Sequence, residues 1–279
     1  MFFPTHPTRL DHLSGTDPFE IYRRMVNYDF GYEFYLGFFV AYYRNFTIPS
    51  IAKTLVASGE ITARPLKRSY DTGIVLHEII ANGFDSDRGQ AMVGLLRRVH
   101  KNVPGSSDDF LYVLMTLLVL PLRWVEAHGW RRLTEREKQS AVAFYVELGA
   151  RMGLGRVPET FEEAGRFLDE YEDRWMGPSP EGATLMKGTS PALTGALPAP
   201  LQRHTPLVLA LMMDKRQVAL ALGLKPAPTL LRYVFNGLLR VRALKARTTP
   251  MPTTPAFTPG RANPAVYPNG YALADVGPS

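Results

Sequence analysis

Apolar positions recur three and four residues apart along nearly the whole chain, and strict alternation is scarce, so the pattern predicts helices. No Asn-Gly or Asp-Gly pair joins alternating apolar runs in the manner of a hairpin, and no internal repeat is visible. Residues 17–47 read as one long aromatic helix or two, opening at Asp17-Pro18 with Glu20 in the first turn. A helix follows from Pro49 to Gly59, and another from Pro65 to about Ala81, stopped by Asn82-Gly83. Asp85 to Val103 forms the next, ended by Pro104-Gly105. Ser107-Asp108 caps an apolar helix from about Asp109 to His128, with a kink expected at Pro121. Two capping boxes, Thr134 with Glu137 and Thr160 with Glu163, open helices to about Met152 and Met176.

Beyond these the pattern weakens. Residues 177–203 are rich in Pro, Gly, Ser and Thr and read as a loop. Pro206 to Leu224 and Ala227 to Arg247 are the last expected helices. From Thr248 the chain holds seven prolines and reads as an extended tail, its end pinned by Tyr267, Tyr271 and the turn Pro268-Asn269-Gly270. The expected fold class is all-α, a single-domain multi-helix bundle at 17–247 between an N-terminal segment, 1–16, and an extended Pro-rich tail, 248–279.

Composition narrows the chemistry. The chain of 279 residues is 46% hydrophobic and 21% charged, enough for a sizeable core. It has no cysteine, which removes disulfides, thiolate haem ligation and cysteine-bound zinc or iron–sulfur clusters. Net charge is +6, but residues 183–279 carry +9 and the rest −3, so the basic C-terminal third is suited to an acidic surface. The N-terminus lacks the apolar run of a signal peptide, and the longest apolar stretch, Phe110 to Leu122, is shorter than the roughly 20 residues of a spanning helix. A cytoplasmic protein, with room for peripheral membrane contact, is therefore expected. In Ala227–Arg247, Leu231, Val234, Phe235, Leu238 and Val241 share one face while Arg232, Asn236, Arg240 and Arg247 share another, the pattern of a basic amphipathic helix for peripheral membrane contact.

No P-loop, dinucleotide fingerprint, nucleophile elbow, HExxH or CxxC is present, and the basic residues do not interleave with a nucleic-acid motif. Of six histidines, His6 and His12 fall in the terminal segment, His128 at a helix end and His204 in a loop; His77 and His100 sit in apolar helices. Either of these two fits a core role or a ligand role. Arg68 and Thr72 share a helix face with Asp71 beside them, and an antiparallel hairpin would bring His100 opposite.

These residues also carry a resemblance. Arg68-x-x-x-Thr72, the leucine-rich run into His100, the Asp108-Asp109 helix closing on Pro-x-Arg-Trp and Gly129-Trp130-Arg131, Met152-Gly153 before Val157-Pro158, and the closing YPNGY at 267–271 together resemble the catalytic domain shared by MpaB-type oxygenases and latex-clearing rubber oxygenases. The likeness covers about residues 20–271. It implies an all-helical protein that binds haem b, with His100 as the proximal iron ligand and Arg68 and Thr72 in the haem pocket. Rubber oxygenases carry a Lys three residues after this Arg; Asp71 stands there here, which sides with the MpaB type. Fungal relatives of that type carry an N-terminal membrane anchor, and no such segment is expected in this sequence.

The implied activity is dioxygen-dependent cleavage or oxygenation of a C=C bond in a hydrophobic, isoprenoid substrate. Arg68, Arg123 and Arg131 are all candidates for the haem propionates. Asp71, Glu60 and Glu78 are candidates for a base, and Asp71 and Thr72 are taken as catalytic. A different haem reaction on the same fold, or a non-catalytic helical protein that binds lipids or terpenoids, are the competing readings.

Overall fold

A computed structural model describes residues 17–101, 103–261 and 264–278; the segment 1–16, with His6 and His12, lies outside them. Among the described residues the chain forms fourteen α-helices and no β-strand. They are α1 (Pro18–Arg24), α2 (Gly31–Arg44), α3 (Pro49–Ala57), α4 (Glu60–Ala63), α5 (Pro65–Asn82), α6 (Asp87–His100) and α7 (Ser107–His128). Then follow α8 (Glu135–Met152), α9 (Phe161–Trp175), α10 (Pro180–Ala196), α11 (Ala199–Gln202), α12 (Thr205–Met212), α13 (Arg216–Ala221) and α14 (Thr229–Thr248).

The helix starts show which local chemistry acts. Ser106, one residue earlier than expected, caps α7: its Oγ accepts from Asp109 N at 3.0 Å and Asp109 accepts from Ser106 N at 3.1 Å. Thr134 and Glu137 form the expected box. At α9 only half of the expected box forms, because the Glu163 carboxylate accepts from Glu159 N. Asp17 makes no side-chain cap, and the aromatic stretch breaks at a π-helical turn, Met25–Asp29, before α2. The helix expected over Asp85–Val103 is shorter at both ends, because Ser86 takes the cap and the helix stops at His100.

Two stretches depart from the sequence pattern. The loop expected over 177–203 contains α10, capped by Ser179 with Pro180 at its first position. Its Ala, Gly and Thr residues let it lie close against α3 and α5, and it buries Leu185, Met186, Thr189 and Leu193. Tertiary burial outweighs the weak helix propensity of the stretch. The helix expected over Pro206–Leu224 is two, α12 and α13, parted at Met213–Lys215.

The core gathers on α7. It is the one helix among the described residues long and apolar enough to cross a membrane, yet most of that stretch is buried against other helices. α2 packs along it and comes closest at Gly37, where an added Cβ would stand 2.5 Å from Pro121 Cα. Only glycine allows that crossing. α7 continues through Pro121.

Arg44, at the end of α2, is wholly buried. Its Nε donates to Glu172 of α9 at 2.7 Å, and its two terminal nitrogens donate to the Asp214 carboxylate at 2.7 and 2.9 Å. Asp214 lies in the middle of the segment that parts α12 from α13. Lys215 adds bonds to Glu172 and Asp169, each 3.2 Å.

The tail is a folded part of the body. Ala256 N donates to Asn27 O at 2.7 Å. Tyr267 Oη donates to one Asp71 oxygen at 2.5 Å, and Gly277 N to the other at 3.1 Å. Lys67 Nζ pairs with Asp71 at 2.7 Å and also donates to the carbonyls of Asp275 and Gly277. One helical stretch further on, Tyr271 donates to Glu78, which also holds Arg88. The pinning expected of Tyr267 and Tyr271 is thus made on α5.

Replacing Arg44 with Leu strands the buried Glu172 carboxylate; a loss of about 3–5 kcal/mol in urea unfolding is expected, and an unchanged midpoint would refute the role given to it. Asp71→Asn removes the charge that Lys67, Tyr267 and Gly277 share. It should cost about 1–3 kcal/mol and speed proteolytic cleavage within 250–278, whereas cleavage at the wild-type rate would show that the tail is held elsewhere.

Candidate functional site

A cavity of about 680 Å³ opens between α2, α5, α7 and the tail, within the roughly 300–1,000 Å³ usual for small-molecule and cofactor sites. α2 supplies an aromatic wall: Tyr32, Tyr35, Phe38, Phe39, Tyr42 and Tyr43. The facing wall is α5, through Ser69, Tyr70, Thr72, Gly73, Leu76 and His77. Val113 and Leu117 of α7 form the base, and Ala256, Phe257, Thr258 and Arg261 of the tail close a side. Few polar groups face in. Tyr42 Oη and Ser69 Oγ share a hydrogen bond at 3.0 Å, and burial pushes the Tyr42 phenol up to about 12, so it stays protonated.

Gly73 stands on this wall in mid-helix, and a Cβ added there would meet nothing within 4 Å. A mid-helix glycine costs roughly 0.5–1 kcal/mol against alanine. No packing neighbour requires it; its effect is to leave the α5 backbone bare toward the cavity.

The two buried-helix histidines are held alike. His77 Nδ1 lies 2.8 Å from Gly73 O, and His100 Nδ1 lies 2.8 Å from Leu96 O. A carbonyl only accepts, so in each ring Nδ1 carries the hydrogen and Nε2 keeps its lone pair. Burial lowers the pKa of both, and for His100 the nearby Arg68 charge lowers it further. Both shifts favour the neutral imidazole, the form a metal ligand requires.

They differ in place. His77 lines the cavity, its ring against Phe38 at 5.4 Å and Phe257 at 5.2 Å between centroids. His100 is not in the cavity wall; its ring meets Phe110 edge-on at 5.8 Å, one turn of α7 before Val113. α5 and α6 pack as a hairpin, which sets His100 within reach of the Arg68 charge.

Arg68 donates to Thr72 Oγ1 at 3.2 Å, and Thr72 Oγ1 donates back to Arg68 O at 2.9 Å. No carboxylate pairs with Arg68 among the described residues, whereas Arg123 is held by Asp169 at 2.7 Å and Arg131 by Glu137 at 2.6 Å. Asp71 gives both oxygens to Lys67 and the tail, away from the cavity lining. Glu78 is committed to Arg88, Tyr271 and Asn82, and Glu60 to Arg64. Of the residues named from sequence, the structure brings Arg68, Thr72 and His100 to one end of the α5–α6 hairpin. Asp71 and Arg123 serve structural ion pairs.

Sequence reading did not single out Gly73, Phe257 or Arg261. A signal existed for the first: Ser69, Thr72 and Gly73 fall on one helix face and are too small to fill a core. Phe257 and Arg261 lie in irregular chain, where no periodicity marks a face.

The fold and the chain both have known counterparts. Residues 26–247 match the family described as ER-bound oxygenase mpaB/B'/rubber oxygenase, catalytic domain. The ER-bound oxygenase mpaB' of Penicillium brevicompactum is 26% identical over 264 residues, covering 88% of this chain and 62% of its own length. The ER-bound oxygenase mpaB of the same organism is 26% identical over 198 residues, covering 64% of this chain and 50% of its own. This chain thus spans less than two thirds of these curated relatives. The solved structure of latex clearing protein LCP in the closed state superposes with a TM-score of 0.64 over 91% of this chain and 76% of that one, at 14% identity, a likeness of fold. With most of its length matched, the chain belongs to the mpaB/B' and rubber oxygenase catalytic-domain family.

Proposed function

We propose that this protein is a haem b-dependent oxygenase that uses dioxygen to cleave or oxygenate a C=C bond in a hydrophobic, isoprenoid substrate. The observation that carries the haem assignment is the pairing of a neutral, tautomer-fixed imidazole, His100, with a guanidinium, Arg68, that has no protein carboxylate to answer it among the described residues. That donor set fits a haem: His100 Nε2 for the iron and Arg68 for a propionate. Thr72 fixes the Arg68 side chain by the hydrogen bond they share. Haem, when bound, would supply the redox-active iron that dioxygen chemistry needs. The remaining work falls to the cavity. Its aromatic wall orients a greasy chain and excludes water, and bare Gly73 lets a flat or extended group lie against α5. The mpaB and mpaB' relatives are named oxygenases, which supports the reaction class.

One observation favours a second arrangement. His77 has the same tautomer and lines the cavity itself, so the two imidazoles are exchangeable as ligand candidates.

The absorption spectrum of the purified protein, as isolated and after dithionite, should show a Soret band that shifts on reduction. His100→Ala should lose it while His77→Ala keeps it; the reverse result would exchange their roles. A chain that stays colourless with added hemin would sink the haem reading and leave a lipid- or terpenoid-binding protein. With haem present, oxygen uptake on a prenylated alkene should yield an aldehyde or ketone. Gly73→Leu should leave the melting temperature equal or higher, since leucine is the better helix former by several tenths of a kcal/mol, while apolar ligand binding falls roughly tenfold or more. Unchanged binding would show that the cavity over Gly73 is not the ligand site.

A further inference from the structure

The surface of α14 is turned opposite to that of a helix packed for its own core. Its inward side carries Arg232, whose guanidinium donates to Met213 O at 2.7 Å and Ala210 O at 3.1 Å, together with Leu239, Arg242 and Ala243. Its outward side leaves Leu230 74%, Tyr233 72%, Leu238 65%, Val241 65% and Leu244 59% exposed. At 100° per residue these side chains fall on one face, with exposed Arg240 and Lys245 at its two edges. The helix holds five Lys and Arg and no acidic residue. So large a contiguous apolar face on a soluble surface marks an interaction site.

The inward side is fastened to the lip of the cavity. Arg242 pairs with Glu33 of α2 at 2.5 Å, and its guanidinium stacks over the Tyr32 ring at 3.7 Å. Tyr32 and Tyr35 line the cavity and are themselves partly exposed. The apolar stripe and the cavity mouth therefore adjoin, linked by one arginine.

We propose that α14 docks this protein on an anionic lipid bilayer, its apolar face in the acyl boundary and its basic edges on the headgroups, with the mouth of the aromatic cavity held against the same leaflet. Charge selects the bilayer over a protein partner's apolar patch: the edges are cationic on both sides and the helix offers no carboxylate to a partner's bases. Continuity with the cavity adds the reason, since an apolar ligand held in the leaflet would enter without crossing water. The docking rests on the surface of α14 alone and holds whether or not haem binds.

The full chain is mixed with vesicles of phosphatidylcholine, with and without phosphatidylglycerol, and floated on a density gradient at low and high salt. Wild type should float with the anionic vesicles, less so at high salt. The double variant Leu238→Glu/Val241→Glu should partition roughly a hundredfold less with unchanged circular dichroism and melting temperature, since both side chains are exposed. Arg240→Glu/Lys245→Glu should abolish the preference for anionic over neutral vesicles. Wild type that stays at the bottom of the gradient with every vesicle overturns the proposal. So does a wild-type dimer by light scattering that ignores vesicles and becomes monomeric in Leu238→Glu/Val241→Glu, which would give the face to a second copy.

Discussion

Much of this molecule hangs on one buried guanidinium. Arg44 ends the aromatic helix α2 and reaches Glu172 on α9 and Asp214 at the joint between α12 and α13. Desolvating an arginine is costly unless its donors are met by charges with good geometry; here Nε and both terminal nitrogens are met. The joint is irregular because Asp214 must turn back to that guanidinium, which explains why one expected helix is two. The same charge ties α2 to α9 and to that joint, and α2 is the aromatic wall of the cavity. The cavity is thus set by a polar bond at one end of α2 and by the Gly37–Pro121 crossing in its middle.

A second set of buried acids works at the opposite wall. Asp71 and Glu78 lie two helical turns apart on α5 and accept from Tyr267 and Tyr271 of the tail. α5 therefore uses two faces for two purposes. One carries acids that hold irregular chain in place. The other carries Ser69, Thr72 and Gly73, small enough to leave space. This division explains why an acid beside Arg68 and Thr72 in sequence is turned away from them in space.

Regular, strongly periodic segments were legible in the sequence: α5, α7 and α8 follow from their caps and apolar spacing, as does the hairpin that brings His100 toward Arg68. The loop expected over 177–203 failed for a physical reason. α10 is built of residues with weak intrinsic preference, and it is helical because it buries Leu185, Met186 and Leu193. α14 has the expected bounds and amphipathic spacing, and Arg232 and Arg242 find partners on the body that fix which face looks inward. In the site, residue types suggested Asp71 and Arg123 as readily as Arg68. Only the partners already taken, Lys67 and the tail for Asp71 and Asp169 for Arg123, separate them. Partnership is a property of three dimensions, so no one-dimensional pattern carries it.

The tail that closes the cavity through Phe257 follows every α-helix in chain order. During synthesis the helical body can therefore assemble while this side of the chamber is still open, three walls standing without the fourth. Once Tyr267 and Tyr271 reach their acids on α5, the fourth wall is in place, so the order of the residues along the chain is also the order in which the chamber is walled.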